Sequence, residues 1–173
     1  HYQFMKDQYP EIFAKIKEAV KSGNWEVQGG MWVEADCNLI SGESMVRQLL
    51  HGKNFFKDEF DIVVDNLWLP DVFGYSAALP QILKRAGVNY FLTQKLSWSQ
   101  FNDFPHQTFN WRGIDGTEIL THFPPENTYN SELDTEFLLP AQKGFKEKDK
   151  LNEFISLFGV GDGGGGPKPE NIE

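Results

Sequence analysis

The sequence predicts an α/β fold with parallel strands, and three observations carry that prediction. Short apolar runs of strand character alternate with longer stretches whose apolar residues recur every three or four positions. The connections between them are short, as they are where a helix carries the chain from one parallel strand to the next. The length, 173 residues, is about that of one domain and enough to bury a core.

The elements follow in order. Phe4, Met5, Tyr9, Ile12, Phe13, Ile16 and Val20 mark one helical face over residues 2–21, with Pro10 opening the main helix at its first turn or kinking it. Ser22-Gly23-Asn24 ends this helix, and Trp25-Glu26-Val27-Gln28 reads as a strand before Gly29-Gly30. A second helix starts near Ser41 or Ser44 and carries Met45, Leu49, Leu50, Phe55, Phe56 and Phe60. Leu67-Trp68-Leu69 is a short buried strand, Ala77 to Ala86 a helix, and Tyr90-Phe91-Leu92-Thr93 another strand. The texture then changes. Phe109 to Arg112 and Glu118 to Phe123 flank Gly113-Ile114-Asp115-Gly116, which predicts a hairpin through its Asp-Gly pair. Residues 127–150 are polar with few strong periods, and Leu151 to Phe158 fits helix or strand equally. No internal repeat or domain boundary is visible, so residues 1–173 are read as part of one domain.

Composition excludes several functions. A net charge of −9 argues against nucleic-acid partners and anionic membrane surfaces, which need clustered Lys and Arg. No apolar run approaches the roughly 18 residues of a membrane span. Cys37, the only cysteine, rules out an internal disulfide and a multi-cysteine zinc site, and suits a reducing, cytoplasmic setting. The abundant aromatic residues fill a core or present faces to sugar rings. The chain opens on His1 with a helix under way and stops in a loop after a glycine run, which suggests a piece of a longer protein.

Asp71 is the foremost chemical candidate. It follows a strand that ends at Pro70 and precedes a turn through Gly74 into a helix, and loops after strand C-termini are where catalytic groups converge in parallel α/β folds. The other reading is that Asp71 caps that helix, a role Ser76 is better placed to fill. Asp162 lies in Gly161-Asp162-Gly163-Gly164-Gly165-Gly166-Pro167, either a flexible linker or a loop shaped around a ligand. It is no phosphate loop, since the Gly-Lys-Ser/Thr ending is missing. Two carboxyl groups flanking a scissile bond are the usual equipment for glycoside hydrolysis, about 5 Å apart in retaining enzymes. Glu34 and Asp36 stand at another strand end, where they face a site or stand in solvent. His1, His51, His106 and His122 show no metal-ligand pairing, and His122 reads as structural. There is no serine nucleophile elbow and no dinucleotide fingerprint.

Taken together, Gly29-Gly30-Met31-Trp32-Val33-Glu34-Ala35-Asp36, Ser41-Gly42-Glu43-Ser44 with Arg47-Gln48, and Trp68-Leu69-Pro70-Asp71-Val72-Phe73-Gly74-Tyr75-Ser76 with Leu79-Pro80-Gln81 resemble glycoside hydrolase family 38. Phe91 to Trp98, Trp111 to Gly116 and Gly161 to Pro167 extend the resemblance over almost the whole chain, in the manner of the bacterial and fungal cytosolic or vacuolar branch. The resemblance implies a seven-stranded α/β barrel-like catalytic domain, incomplete here at both ends. It implies a retaining α-mannosidase acting on mannose-containing oligosaccharides through a covalent mannosyl-aspartate. Asp71 occupies the position of the nucleophile that also binds zinc, Asp162 matches the general acid/base, Lys95 and Tyr129 look like substrate-pocket residues, and Asp36 stands close behind them.

The family's other zinc ligands, a His-x-Asp pair near the start of the domain and a later His, are not in this sequence. With one of four expected ligands, these residues alone are expected to be inactive and to hold no tight zinc. A homo-oligomer formed through the rest of the parent chain is compatible with the sequence. Two alternatives stand beside the hydrolase: a metal-dependent deacetylase on a related barrel, which needs a His-x-x-x-His pair that this stretch lacks, and a non-catalytic carbohydrate-binding or scaffold module, which tolerates loss of Asp71.

Overall fold

A computed structural model describes residues 1–161 and 165–171. The predicted first helix is two: α1 (Tyr2–Gln8) and α2 (Pro10–Lys21), broken at Tyr9, whose φ of −137° and ψ of 61° are not helical. Pro10 causes the break, because a proline disfavours helical backbone in the residue before it while fitting the first turn of the next helix. α3 (Gly42–Phe60) begins at Ser41, whose hydroxyl accepts the Ser44 N–H, and ends at Asp61 in the left-handed region.

Four strands form one sheet, β1 (Asn66–Leu69), β2 (Tyr90–Thr93), β3 (Thr108–Arg112) and β4 (Glu118–His122), in the order β1-β2-β4-β3. β1, β2 and β4 run parallel, and β3 pairs antiparallel with β4 through the expected hairpin. Gly116 takes φ +85° at its turn. α4 (Leu79–Arg85) joins β1 to β2 and α5 (Thr135–Gly144) follows the hairpin. The described residues therefore supply four strands of an open sheet.

The sheet's alternation decides which face is covered. Leu67, Leu69, Phe91 and Ile119 are buried with Met45, Leu49, Leu79 and Leu83 of α3 and α4, in one core that also takes in Met31, Cys37 and Val72. A second cluster of Val27, Phe56 and Val64 seats α1 and α2 against α3, with Tyr2, Phe55 and Phe60 packed edge-on around it. The opposite sheet face is more open: Tyr90 and Leu120 are exposed, and an open cavity there is lined by Trp68, Tyr90, Leu120 and His122.

Two local expectations need correction. Residues 25–28 are not a strand, because the neighbouring segment meets β1 partly through a side chain: Asn66 Oδ1 accepts the Gly29 N–H, and only the Trp68 N–H to Gly29 carbonyl bond of 3.4 Å joins the two main chains. α5 arises in the stretch that shows little periodicity. Its N-cap is strong, since Asp134 Oδ1 accepts the N–H groups of Glu136 and Phe137. Among the described residues no helix is long and apolar enough to cross a membrane.

Candidate active site

The site is built at the C-terminal ends of β1 and β2. Half-buried Tyr75 ties these ends together: its hydroxyl donates to the Leu69 carbonyl at 3.2 Å and shares a 2.6 Å bond with Thr93 Oγ1. Burial holds this phenol neutral, well above the ordinary tyrosine range. Asp71 stands two residues past the end of β1, and Lys95 two residues past the end of β2. Parallel pairing of Leu69 with Thr93 brings them to the same level.

Lys95 Nζ lies 3.0 Å from Asp71 Oδ1, with side-chain exposures of 5% and 34%. Aromatic rings enclose the ammonium: Trp98 at 3.5 Å, Tyr129 at 4.7 Å and Phe73 at 5.5 Å from the ring centroids. An ammonium over aromatic faces is held in place and stays charged. Burial alone would lower the lysine pKa, but the Asp71 carboxylate and the Tyr129 hydroxyl outweigh it and raise it above the ordinary value. Tyr129 donates to the other carboxylate oxygen, Oδ2, at 3.3 Å. Oδ1 itself is buried and meets the Lys95 ammonium as an ion pair, its only polar contact among the described residues. Asp71 is thus gripped through both oxygens, Oδ1 by Lys95 and Oδ2 by Tyr129.

Asp71 does not cap the helix that follows. Nor does Ser76: α4 begins beyond Ala78 with no side-chain cap, and Ser76 Oγ accepts only the N–H of Ala78 itself, at 3.2 Å. The N–H of Asp71 goes instead to Glu34 Oε1, at 2.5 Å. Burial first, and then the negative charge of Asp71, push the Glu34 carboxyl above the usual range, against the pull of this bond and of Lys95.

The other predicted residues are placed as follows. Lys95 and Tyr129 meet at Asp71. Asp36 lies in the adjoining loop, where its Oδ1 accepts the N–H groups of Asn38 and Leu39 at 3.0 and 2.7 Å. Asp162 lies outside the described residues. Its predecessor Gly161 packs so closely on Tyr129 and Asn130 that a Cβ there would collide with both side chains. The loop of Tyr129 is tied to the segment leading to Gly161 by Glu126 Oε1, which accepts the hydroxyls of Ser131 and Ser156 at 2.7 and 2.8 Å. The Ser131 N–H adds a bond to the Leu157 carbonyl. His122 is structural as read: half-buried, it pairs with Thr108 Oγ1 at 2.8 Å and accepts the Ile155 N–H. Cys37 is a buried free thiol, pushed up to about 11 by that burial.

A zinc ion would find one suitable donor here, the buried Asp71 Oδ1. Among the described residues no group of three or more His, Cys, Asp or Glu side chains converges on a point. The donor set fits zinc as a single ligand and needs others from outside these residues.

The sequence reading did not find the Glu34 bond or the part of Trp98 and Phe73 in enclosing Lys95. Glu34 showed only as an acidic residue at a strand end, and Trp98 only as one aromatic among many.

A carboxylate at the end of a parallel strand, held by a buried cation and a phenol, defines the class: an α/β domain with a charged site at the C-terminal ends of its parallel strands. The chain belongs to glycosyl hydrolases family 38, whose N-terminal domain matches it over residues 1–173. It is 51% identical to "Alpha-mannosidase G" of Dictyostelium discoideum over 172 residues, 99% of this chain and 16% of that protein. It is 48% identical to human "Alpha-mannosidase 2C1" over 95% of this chain and 16% of the relative, and 42% identical to "Alpha-mannosidase" of Saccharomyces cerevisiae over 99% and 16%. The chain therefore spans about a sixth of the length of these relatives. The crystal structure of an α-mannosidase from Enterococcus faecalis shares the fold, with a TM-score of 0.70 over 98% of this chain and 19% of that one, at 22% identity.

Proposed function

We propose that this chain is the nucleophile-bearing part of a retaining α-mannosidase that hydrolyses terminal α-mannosides of glycans. The observation that carries the reading is the setting of Asp71, a partly buried carboxylate fixed through one oxygen by Lys95 and through the other by Tyr129. Family membership and the names of the relatives support the substrate class.

In the first step Asp71 attacks the anomeric carbon as the glycosidic C–O bond breaks, and the departing oxygen takes a proton from a general acid. Asp162 is assigned that role, and the packing of Gly161 on Tyr129 supports the assignment. In the second step water, deprotonated by the same group, attacks the anomeric carbon and releases Asp71. The ammonium of Lys95, 3.0 Å from Oδ1, holds the Asp71 side chain in place for the attack. Once the ester forms, the carboxylate charge is gone and Lys95 is left facing a neutral group, which favours return to the free carboxylate and so the second step. Lys95 and Tyr129 are also within reach of sugar hydroxyls at this point, and Asp36 supports the wall behind them through its turn.

Zinc belongs to the reading, with Asp71 as one ligand; when bound it would position the carboxylate and neutralise charge on sugar hydroxyls. A seven-stranded barrel in the whole protein, of which the four strands here are a part, and a cytoplasmic location belong to it as well. The test is the stereochemistry of turnover by the full-length polypeptide, followed by proton NMR. The first product expected is α-mannose; β-mannose appearing first would overturn the retaining assignment.

A further inference from the structure

Asp71 is placed by a loop more than thirty residues earlier in the chain. Residues 34–38 lie alongside residues 71–74 and hold their main chain at two points. Glu34 Oε1 accepts the Asp71 N–H at 2.5 Å, and Asn38 Nδ2 donates to the Phe73 carbonyl at 2.9 Å. Between these points Val72 is buried in the core. Gly74, at φ +119°, leaves the space that Asn38 needs, since a Cβ there would stand 3.0 Å from Asn38 Oδ1.

The holding loop is itself fixed. The N–H groups of Trp32 and Val33 go to the main-chain carbonyl and the side-chain Oε1 of Gln48, at 2.9 and 3.0 Å, and Gln48 sits on α3 beside the fully buried Leu49. Asp36 Oδ1 closes the turn by accepting from Asn38 and Leu39. The path from the core to Asp71 is therefore continuous: α3, Gln48, the 32–38 loop, and then the Asp71 main chain.

We propose that Glu34 is a positioning residue for Asp71, its carboxylate anchoring the nucleophile's backbone while Asn38 anchors the far end of the same loop. The chemistry suits the task. A carboxylate accepting a main-chain N–H makes a charge-assisted bond, stronger than an amide would make. The Glu34 and Asp71 carboxylates are near enough to repel, so the arrangement has a cost that a neutral acceptor would avoid. It leaves the Asp71 side chain free of structural duty. The inference rests on the reading of Asp71 as the nucleophile.

The test compares Glu34→Gln, Glu34→Asp and Glu34→Ala in the full-length polypeptide. Glu34→Ala is expected to lower kcat about 100-fold with KM within about threefold, the signature of a misplaced reacting group. Glu34→Gln keeps an acceptor oxygen and is expected to recover kcat to within about tenfold of wild type. Wild-type kcat in Glu34→Ala overturns the inference, as does Glu34→Gln being as impaired as Glu34→Ala, which assigns Glu34 a proton or charge role instead. Exchange of the Asp71 amide hydrogen, measured in the same variants, gives a readout apart from turnover. It should quicken at least about tenfold in Glu34→Ala, and unchanged exchange overturns the inference. Should wild type fail to cleave α-mannosides, the functional reading falls while amide exchange still decides whether Glu34 holds Asp71. Should Glu34→Ala not fold, Glu34→Asp, whose shorter side chain withdraws the acceptor, takes its place in both measurements.

Discussion

Asp71 and Glu147 are both carboxylates drawn out of water, and they are bonded in opposite ways. Glu147, with its side chain 10% exposed, has both oxygens occupied: Oε2 accepts the N–H groups of Gln107 and Thr108 at 3.1 and 3.0 Å, and Oε1 meets His106 Nδ1 at 3.1 Å. It staples the turn after α5 to the start of β3. Asp71 faces a cation through one oxygen and a phenol through the other. A saturated carboxylate is committed to structure, because any change of partner leaves a buried group unpaired. One with fewer bonds, beside a fixed cation, is stable where it stands and still able to react. The two carboxylates differ in bond count as well as in exposure, 34% for the Asp71 side chain against 10% for Glu147.

The comparison breaks most readily at Asp71. Asp71→Asn in the full-length polypeptide should lower kcat for an α-mannoside by about 1,000-fold or more while its Tm stays within a few degrees, since the amide removes the nucleophile and little packing. Steady-state kinetics with thermal unfolding check this. Lys95→Met, similar in length but without charge, should cost about 10²–10³ in kcat, as loss of one preorganised electrostatic partner does. Gly161→Ala probes the contact with Tyr129. The added methyl must push that ring off Asp71, and a fall in kcat of about tenfold is expected.

Glu147→Gln makes the opposite prediction: kcat and KM unchanged, and stability lower by about 1–3 kcal/mol as backbone donors lose a charged acceptor. Its pH dependence has a definite sign. Burial pushes Glu147 up, but the N–H groups of Thr108 and Gln107 and the His106 ring outweigh it, so its pKa in the fold lies below the ordinary 4.5. The stabilisation is therefore full above 4.5 and lost as the pH falls through the lower value in the folded state. Melting curves from pH 6 to 3 (about that range) should show wild type converging on Glu147→Gln at the acid end.

How much of this could be read in the sequence follows from the range of each interaction. β2 and the hairpin were legible because their signals, a β-branched and aromatic run and an Asp-Gly turn, are local. The N-terminal helix was legible as a helix, while its break at Tyr9 turned on a single proline whose two readings, opening or kinking, are alike in sequence. Trp25 to Gln28 has the composition of a strand but makes no main-chain ladder with β1, and the adjoining Gly29 N–H goes to the Asn66 side chain. α5 was hidden because its apolar periodicity is weak and its start depends on one Asp134 cap. At the site, Asp71, Lys95 and Tyr129 could be named from the resemblance, and the structure brings all three together. Glu34 could not be assigned, since its partner is a main-chain N–H 37 residues away and no side-chain pattern encodes it. The same holds for Glu147, which reads as one charge among many in a polar stretch.

The central claim is that Asp71 forms a bond to the sugar. The most direct measurement treats the full-length polypeptide with a 5-fluoro-mannosyl fluoride, which slows the second step, and maps the labelled peptide by mass spectrometry. A fluoromannosyl ester on Asp71, absent from Asp71→Asn, is the predicted result; a stoichiometric label on any other residue would contradict the account.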